Sequence, residues 1–206
     1  IAQAVKAGQY QSMIIAYMQD GETLIKSYGT LVKGSDEIPN ADTLYELSSN
    51  SKTFTGTLLG IMVARGDVAL DDPVNMYLPD GVKLASFEGV DITLQDLATH
   101  MSGLPLYPED YETQENDPTP YSDYTVDDLW ASINAFKPTR KSGEKWHYSS
   151  FNFGVLSHAL ANHMGKDYLT MVREEILEPL GMTDTYFRLP DSERHRFAQG
   201  HLPGGE

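Results

Sequence analysis

Ser49 and Lys52 lie three residues apart where a segment with helical periodicity begins, a spacing typical of a serine nucleophile with a basic partner. Residues i and i+3 share one face of a helix, so we expect the Lys52 ammonium within hydrogen-bonding reach of the Ser49 hydroxyl. The unpaired backbone donors and positive end of a helix N-terminus stabilise an alkoxide or oxyanion there. About one such spacing is expected by chance in 206 residues. The alternative is therefore that Ser49 caps the helix and Lys52 is an exposed helix residue.

Other catalytic motifs have no match in this sequence. Neither Gly-x-Ser-x-Gly nor the Gly-x-x-x-x-Gly-Lys phosphate loop occurs, which argues against an α/β-hydrolase and a P-loop enzyme. The histidines do not form His-Glu-x-x-His, and His158 and His163 lie five apart, on different helix faces. The sequence has no cysteine, which excludes thiol catalysis and disulfides. We predict no metal site and no cofactor, and we interpret His100 as a structural residue.

The elements that must position the serine and lysine are indicated by turn and cap residues. Residues 12–18 and 23–31 are rich in β-formers, and Asp20-Gly21 between them is a strong hairpin signal. A short helix is expected before this hairpin. Apolar residues at helical spacing predict a helix over 49–65 with one buried face, and Gly66 supplies the left-handed residue that ends it.

Further helices are predicted downstream. Thr93-x-x-Asp96 and Thr125-x-x-Asp128 resemble capping boxes with Asp in place of the usual Glu, and each opens an apolar-periodic stretch. Two more helices are expected, one over about 151–164 and one from near 167 to just before a proline at 179. Residues 107–124 contain three prolines and four tyrosines without helical period, and this pattern predicts a long loop.

Acidic residues dominate the charge. Thirty Asp and Glu against fifteen Lys and Arg give a net charge of −15, which argues strongly against nucleic acid or an anionic membrane surface as a partner. No run approaches the roughly 18 apolar residues that a membrane span requires. Residues 85–135 contain no Lys or Arg, and six of their acidic residues fall in the loop 107–124. This acidic loop is either a solvated face or a feature of the site.

Five blocks of sequence occur in an order that identifies a family. They are YELSSNSKTFTG at 45–56, LDDPV with YLP within 70–79, ITLQDLATHMSGLP at 92–105, GEKWHYSS at 143–150 and EPLGMTDT at 178–185. Together they resemble the serine β-lactamase and penicillin-binding protein superfamily, and most closely its class C and esterase-like branch. The first block resembles the family's nucleophile segment and the fourth its second catalytic motif. The chance of all five agreeing at random is negligible.

The resemblance assigns roles to individual residues. It implies that Ser49 is the acylated nucleophile, that Lys52 is its partner, and that Tyr148 is the base and acid of the Tyr-x-Asn motif. A phenol ordinarily ionises near pH 10, so Tyr148 can act as a base only if a neighbouring cation such as Lys52 stabilises the phenolate. The third position of the motif is Ser150 instead of Asn. Since a hydroxyl is shorter than an amide, we expect this substitution to affect substrate orientation.

The family's third motif, Lys-Thr-Gly or His-x-Gly on a strand lining the site, has no match. Lys33-Gly34-Ser35 lies too early, and HLPGG at 201–205 does not fit. In the family that strand supplies one oxyanion-hole amide, and the nucleophile's own N–H supplies the other. A two-stranded hairpin is marginal alone. We therefore expect C-terminal sheet strands, in a further segment of the same protein, to be missing from this chain.

The resemblance implies an α+β fold, an α/β sandwich of the β-lactamase/transpeptidase-like type with an antiparallel sheet flanked by helices plus a helical subdomain. We predict that residues 1–50 form the N-terminal helix and hairpin of the mixed α/β domain. Residues 51–190 are expected to form the mainly helical subdomain with the acidic loop 107–124. Residues 191–206 are expected to begin the return to the sheet.

The predicted function is that of a serine hydrolase working through an acyl-enzyme. Three substrates compete: a β-lactam, a D-alanyl peptide or a small carboxylic ester, so the expected partner is a small molecule or a peptide. The alternative is a non-catalytic or incomplete member retained as a binding or regulatory module. The resemblance implies a periplasmic or secreted protein, although no signal peptide is visible and a cytoplasmic location stays open.

Overall fold

The sheet in the computed structural model is an antiparallel hairpin close to the N-terminus. The structure describes residues 1–111 and 123–200. After a short helix α1, the strands pair from Ser12 with Gly29 to Gln19 with Glu22. The three elements are α1 Ala2–Lys6, β1 Ser12–Gln19 and β2 Glu22–Gly29. The predicted helix and hairpin are thus confirmed, with β2 ending two residues before the expected position.

The tight turn of the hairpin depends on two residues with left-handed backbone. Asp20 has φ 51° and Gly21 has φ 82°. A two-residue type I′ turn requires positive φ at both central positions, and Asp-Gly is among the pairs that tolerate it best. Local turn chemistry therefore sets the register of the two strands.

The chain divides into two compact units. The first comprises Ile1–Ser48 and Asp184–Glu206, and the second comprises Ser49–Thr183. Within the first unit, Leu44 forms a parallel bridge with Phe197, the residue that directly follows a 3₁₀ helix over Asp191–Arg196. Apart from the hairpin, the described residues form only isolated bridges and no further strand.

The second unit is helical. A 3₁₀ turn over Ser48–Ser51 leads into the first of its helices, so the helix predicted over 49–65 starts as a tighter turn. Gly66 and Gly165 end two of the helices in the left-handed conformation, as predicted. The helices are α2 Lys52–Arg65, α3 Leu94–Ala98, α4 Val126–Ala135, α5 Ser150–Met164 and α6 Tyr168–Val172, and α6 continues as a π turn over Arg173–Leu177.

Both predicted capping boxes are present. The Thr93 hydroxyl accepts from the Asp96 N–H at 3.1 Å, and the Asp96 carboxylate accepts from the Thr93 N–H at 3.0 Å. Thr125 and Asp128 repeat the arrangement at the start of α4. Each box satisfies two backbone donors that a helix N-terminus would otherwise leave unpaired.

Helix α5 lies at the centre of the helical unit. Its buried face includes Val155, Leu156, Ala159 and Leu160, all fully inaccessible to solvent. The hydrophobic core around it draws on every other helix of the unit, with buried side chains that include Leu58, Met62, Leu94, Leu97, Ile133 and Val172. This packing holds the first turn of α5 in place, and that turn carries one of the predicted site residues. No helix in the described part of the chain is both long and apolar enough to span a bilayer.

We expect Leu160→Ala to lower the free energy of unfolding by about 2–5 kcal/mol, because it leaves a cavity in a core that cannot fully collapse around it. Leu169→Ala is the matched control, since Leu169 is 43% exposed whereas Leu160 is 0% exposed. Its cost should stay near about 0.5 kcal/mol. Urea unfolding followed by circular dichroism measures both. Equal losses for the two variants would contradict this account of the core.

Candidate active site

Ser49 lies in the 3₁₀ turn that leads into α2, the helix whose first residue is Lys52. Ser48, just before it, has φ 47°, an uncommon left-handed value for a residue other than glycine. Such strained backbone is often found at functional sites, where surrounding structure maintains it. The turn sets Ser49 at the positive end of a 14-residue helix.

Four side chains meet at the candidate site. The Tyr148 phenol donates a hydrogen bond to Ser49 Oγ at 2.8 Å. Lys52 Nζ donates to Ser49 Oγ and to Ser150 Oγ, in each case at 3.4 Å. The four residues singled out in the sequence therefore form one cluster, although Tyr148 and Ser150 are about a hundred residues from Ser49 and Lys52.

Main-chain hydrogen bonds hold the segment that carries Tyr148 and Ser150. The Ser150 N–H donates to the Leu106 carbonyl at 2.9 Å. The Ser149 hydroxyl, which is fully buried, donates to the Pro105 carbonyl at 2.6 Å and accepts from the Asn152 N–H at 3.0 Å as the N-cap of α5. The residues after α3 and the residues before α5 thus run side by side.

A buried amide strengthens this connection. Asn152, with 0% exposure, accepts from the Ser102 hydroxyl at 2.6 Å and donates through Nδ2 to the Leu97 carbonyl at 3.1 Å. Since an unpaired buried amide would be costly, these partners favour a single orientation of the first turn of α5. Tyr148 is therefore attached to well-packed structure on its C-terminal side.

The environment of Tyr148 favours its ionised form. Hydrogen bonding by the Lys52 ammonium, followed by that of the Ser49 hydroxyl, lowers the pKa of the Tyr148 phenol from its ordinary value of 10.0. Lys52 Nζ lies 5.1 Å from the centre of the Tyr148 ring, so its positive charge adds to this effect. In the phenolate state, the same 2.8 Å contact would have Ser49 donating to the Tyr148 oxygen.

His100 lies beside this cluster, although from the sequence it is interpreted only as structural. Its ring centre is 4.6 Å from that of Tyr148, and its Nδ1 accepts from the Ser149 N–H at 3.1 Å. The one signal in the sequence is its place inside a block of family resemblance. Spacing could not identify it, because 48 residues separate it from Tyr148.

A cavity of about 250 Å³ adjoins Ser150. Aromatic and apolar side chains dominate its wall, which consists of Tyr107, Pro108, Tyr111, Tyr124, Thr125, Val126, Leu129, Ser150, Phe151, Gly154 and His158. Ser132 on α4 connects to two residues of the predicted acidic loop: it donates to Asp110 and contacts the Tyr124 hydroxyl, both at 2.6 Å. Residues 112–122 of that loop lie outside the described residues.

Comparisons with known proteins give a consistent result. The family model described as Beta-lactamase matches residues 1–206. The D-alanyl-D-alanine-carboxypeptidase/endopeptidase AmpH of Escherichia coli (strain K12) is 32% identical over 183 residues, which are 88% of this chain and 47% of that protein. A β-lactamase of Providencia stuartii is 32% identical over 199 residues, 96% of this chain and 48% of the relative. The chain thus spans about half the length of the curated relatives it matches.

Solved structures similar to this chain are also of β-lactamase type. A β-lactamase/D-alanine carboxypeptidase from Yersinia pestis, complexed with citrate, superposes with a TM-score of 0.86 at 27% identity, covering 99% of this chain and 60% of that one. A class C β-lactamase gives a TM-score of 0.82 at 28% identity and covers 99% and 53% of the two chains. The predicted β-lactamase/transpeptidase-like α+β fold is confirmed.

We expect Lys52→Met to raise the pKa of the Tyr148 phenol, because the substitution removes the hydrogen-bonding cation that lowers it. Tyrosinate absorbance during a pH titration measures the change. Subtracting the curve of a Tyr148→Phe variant in the same background isolates the one phenol. Lys137→Met, at an exposed position just after α4, is the matched control and should leave the Tyr148 titration unchanged. An unchanged titration in Lys52→Met would contradict this electrostatic coupling.

Proposed function

The chain belongs to the Beta-lactamase family, as the resemblance predicted, and from this premise we propose that it is a serine hydrolase acting through an acyl-enzyme at Ser49. The observation that carries the proposal is the convergence of Tyr148 and Lys52 on one hydroxyl, at 2.8 Å and 3.4 Å. A nucleophile with a general base in reach, and a cation to tune that base, is the arrangement that serine acyl transfer needs.

In the proposed reaction the Tyr148 phenolate accepts the Ser49 proton while Ser49 Oγ bonds to the substrate carbonyl carbon. The Lys52 ammonium stabilises the phenolate before transfer. When the tetrahedral intermediate collapses, the bond to the leaving nitrogen or oxygen breaks, and Tyr148 returns the proton to that leaving atom. Tyr148 then takes a proton from water as that water attacks the ester carbon, and it returns the proton to Ser49 Oγ when the C–Oγ bond breaks and the acid is released.

The oxyanion formed in each step needs preorganised donors. The Ser49 N–H, in the 3₁₀ turn that leads into α2, is the first proposed donor. For the second, we propose the strand that the resemblance implies, carried by a further segment of the same protein. Two facts support this partner: the relatives are about twice as long, and the described residues supply only a two-stranded sheet. On the resemblance alone, we also propose a periplasmic or secreted location.

The substrate classes are those that the relatives suggest, a β-lactam or a D-alanyl peptide, together with a small carboxylic ester. The apolar wall of the cavity next to Ser150 favours a substrate that places an uncharged group there. The acidic composition of residues 107–124 acts in the same direction, because it disfavours an anionic substrate nearby. We propose that neutral esters or amides are better substrates than carboxylates.

We expect Ser49→Ala to abolish covalent labelling of the chain by a neutral p-nitrophenyl phosphonate, because the reacting oxygen is removed. Ser51→Ala is the matched control two residues away: Ser51 is the N-cap residue of α2, but its side chain makes no capping hydrogen bond. This variant should label like the unmodified chain. Intact-protein mass spectrometry detects the adduct.

The labelling result separates the two function classes. Labelling of the unmodified chain and of Ser51→Ala, but not of Ser49→Ala, supports a serine hydrolase. Persistent labelling of Ser49→Ala would contradict the assignment of Ser49 as the nucleophile. If the unmodified chain fails to label while binding the same reagent reversibly, the non-catalytic alternative is the better description.

A second experiment tests the preference for neutral substrates. We expect the labelling rate with a carboxylate-bearing phosphonate to rise roughly twofold or more as salt is raised, because screening over ~8–10 Å weakens repulsion by the acidic residues. The neutral phosphonate should hardly respond, and it serves as the control for general effects of salt. Equal responses for both reagents would mean that the acidic residues are a solvated face without influence on the site.

A further inference from the structure

We infer that His100 is a positioning residue whose neutral imidazole holds Tyr148 against Ser49. The inference rests on the proposed function, because it is there that Tyr148 receives its role in proton transfer. His100 contacts the residues on both sides of Tyr148: its carbonyl accepts from the His147 N–H at 2.9 Å, and its Nδ1 accepts from the Ser149 N–H at 3.1 Å. Its ring packs on the Tyr148 ring, with centres 4.6 Å apart and planes at 37°.

The backbone conformation of His100 allows it to contact both neighbours of Tyr148. With φ 62° it adopts the left-handed conformation, which costs energy for any residue with a Cβ. The residue lies two positions after the end of α3, and its N–H donates to the Leu97 carbonyl at 3.4 Å. The left-handed turn gives one residue both a carbonyl and a ring nitrogen that accept from the Tyr148 segment. Strain of this kind persists where the surrounding structure enforces it.

The hydrogen bond to Ser149 requires a particular protonation state. Nδ1 can accept from the Ser149 N–H only while it carries no proton, so the ring must be neutral with its proton on Nε2. A doubly protonated ring would set two donors against each other and leave the Ser149 N–H, at a fully buried residue, without its acceptor.

The surroundings of the ring favour this neutral state. Burial, and after it the positive charge of Lys52, lowers the pKa of His100. The groups that face the ring are Tyr148, Trp146 and Phe153, with ring centres at 4.6, 6.0 and 5.3 Å, and the Lys52 charge on α2. His147 is adjacent through its main chain. Charging His100 would therefore place a second cation beside Lys52.

Protonation of His100 at acid pH should therefore disturb the geometry that proton transfer needs. As pH falls below the ordinary histidine range, His100 gains a proton, the Ser149 hydrogen bond breaks and the Tyr148 phenol loses its fixed position. The rate at which Ser49 is labelled by a neutral phosphonate should show this as an acid limb, at a pH below about 6.5. At higher pH, His100 is neutral and its hydrogen bond to Ser149 keeps Tyr148 in position.

The test compares His100→Asn with His100→Ala in the full chain. Asn keeps a neutral acceptor near the position of Nδ1, tolerates positive φ well and does not titrate. We expect His100→Asn to retain labelling at neutral pH and to lack the acid limb assigned to His100. We expect His100→Ala to lose roughly 10- to 100-fold in labelling rate at every pH, because the phenol is misplaced. Circular dichroism and urea unfolding establish that both variants are folded.

A double-mutant cycle separates positioning from a general structural role. If His100 acts through Tyr148, then His100→Ala should cost little further rate in a Tyr148→Phe background. A loss in that background as large as in the unmodified chain would overturn the inference, and so would an unchanged acid limb in His100→Asn. Ser49→Ala defines the unlabelled background for all variants.

NMR spectroscopy tests the protonation state of His100 without requiring any catalytic activity. Long-range ¹H–¹⁵N correlation spectra report which nitrogen of each histidine carries the proton, and signals missing from His100→Asn identify His100. We expect an unprotonated Nδ1 and a protonated Nε2 at neutral pH. A proton on Nδ1 would overturn the inference even if labelling of Ser49 succeeds. If the unmodified chain does not label, the proposed function fails, while these spectra still test the hydrogen bond that defines the role of His100.

Discussion

The hydrogen bond from Tyr148 to Ser49 is the interaction on which the candidate site depends. It joins residues 99 positions apart in the chain, and its length of 2.8 Å leaves little room for error. A shift of even an ångström would remove the phenol from the serine, and neither Lys52 nor Ser150 could compensate. The helical unit meets this constraint with main-chain hydrogen bonds between the residues after α3 and the residues before α5, and with the packed core around α5. The distance between Tyr148 and Ser49 is therefore only as well defined as the packing around α3 and α5.

Interactions within a few residues of one another could be predicted from the sequence. The Asp20-Gly21 turn, the two capping boxes and the left-handed glycines after α2 and α5 follow from local backbone chemistry, which the residue types reveal. The pairing of Ser49 with Lys52 is equally local, because one helical turn places them together. Only the family resemblance indicates Tyr148, since no local rule relates it to Ser49.

Interactions that depend on two distant segments could not be predicted in this way. The left-handed backbone of His100 is compatible with its sequence but not indicated by it, because positive φ is uncommon for every residue except glycine, even though histidine adopts it more often than most. The Ser149 hydroxyl and the Ser150 N–H donate to the backbone carbonyls of Pro105 and Leu106, and main-chain groups have no residue-type signature. The cavity beside Ser150 likewise arises from three separate stretches of chain, and the sequence indicates only that one contributing segment, the loop 107–124, is rich in tyrosine.

The long loops that connect the site also set the order in which the molecule folds. The hairpin closes through a two-residue turn, an event of about 1–10 μs. The contacts that hold Tyr148 join residues more than 40 positions apart in the chain. The entropy cost of closing the intervening chain must therefore be overcome before these contacts stabilise the structure. We therefore expect secondary structure to return early on refolding and the constellation around Ser49 to be completed late. Reactivity of this serine reports the finished native state, whereas a helical spectrum alone does not.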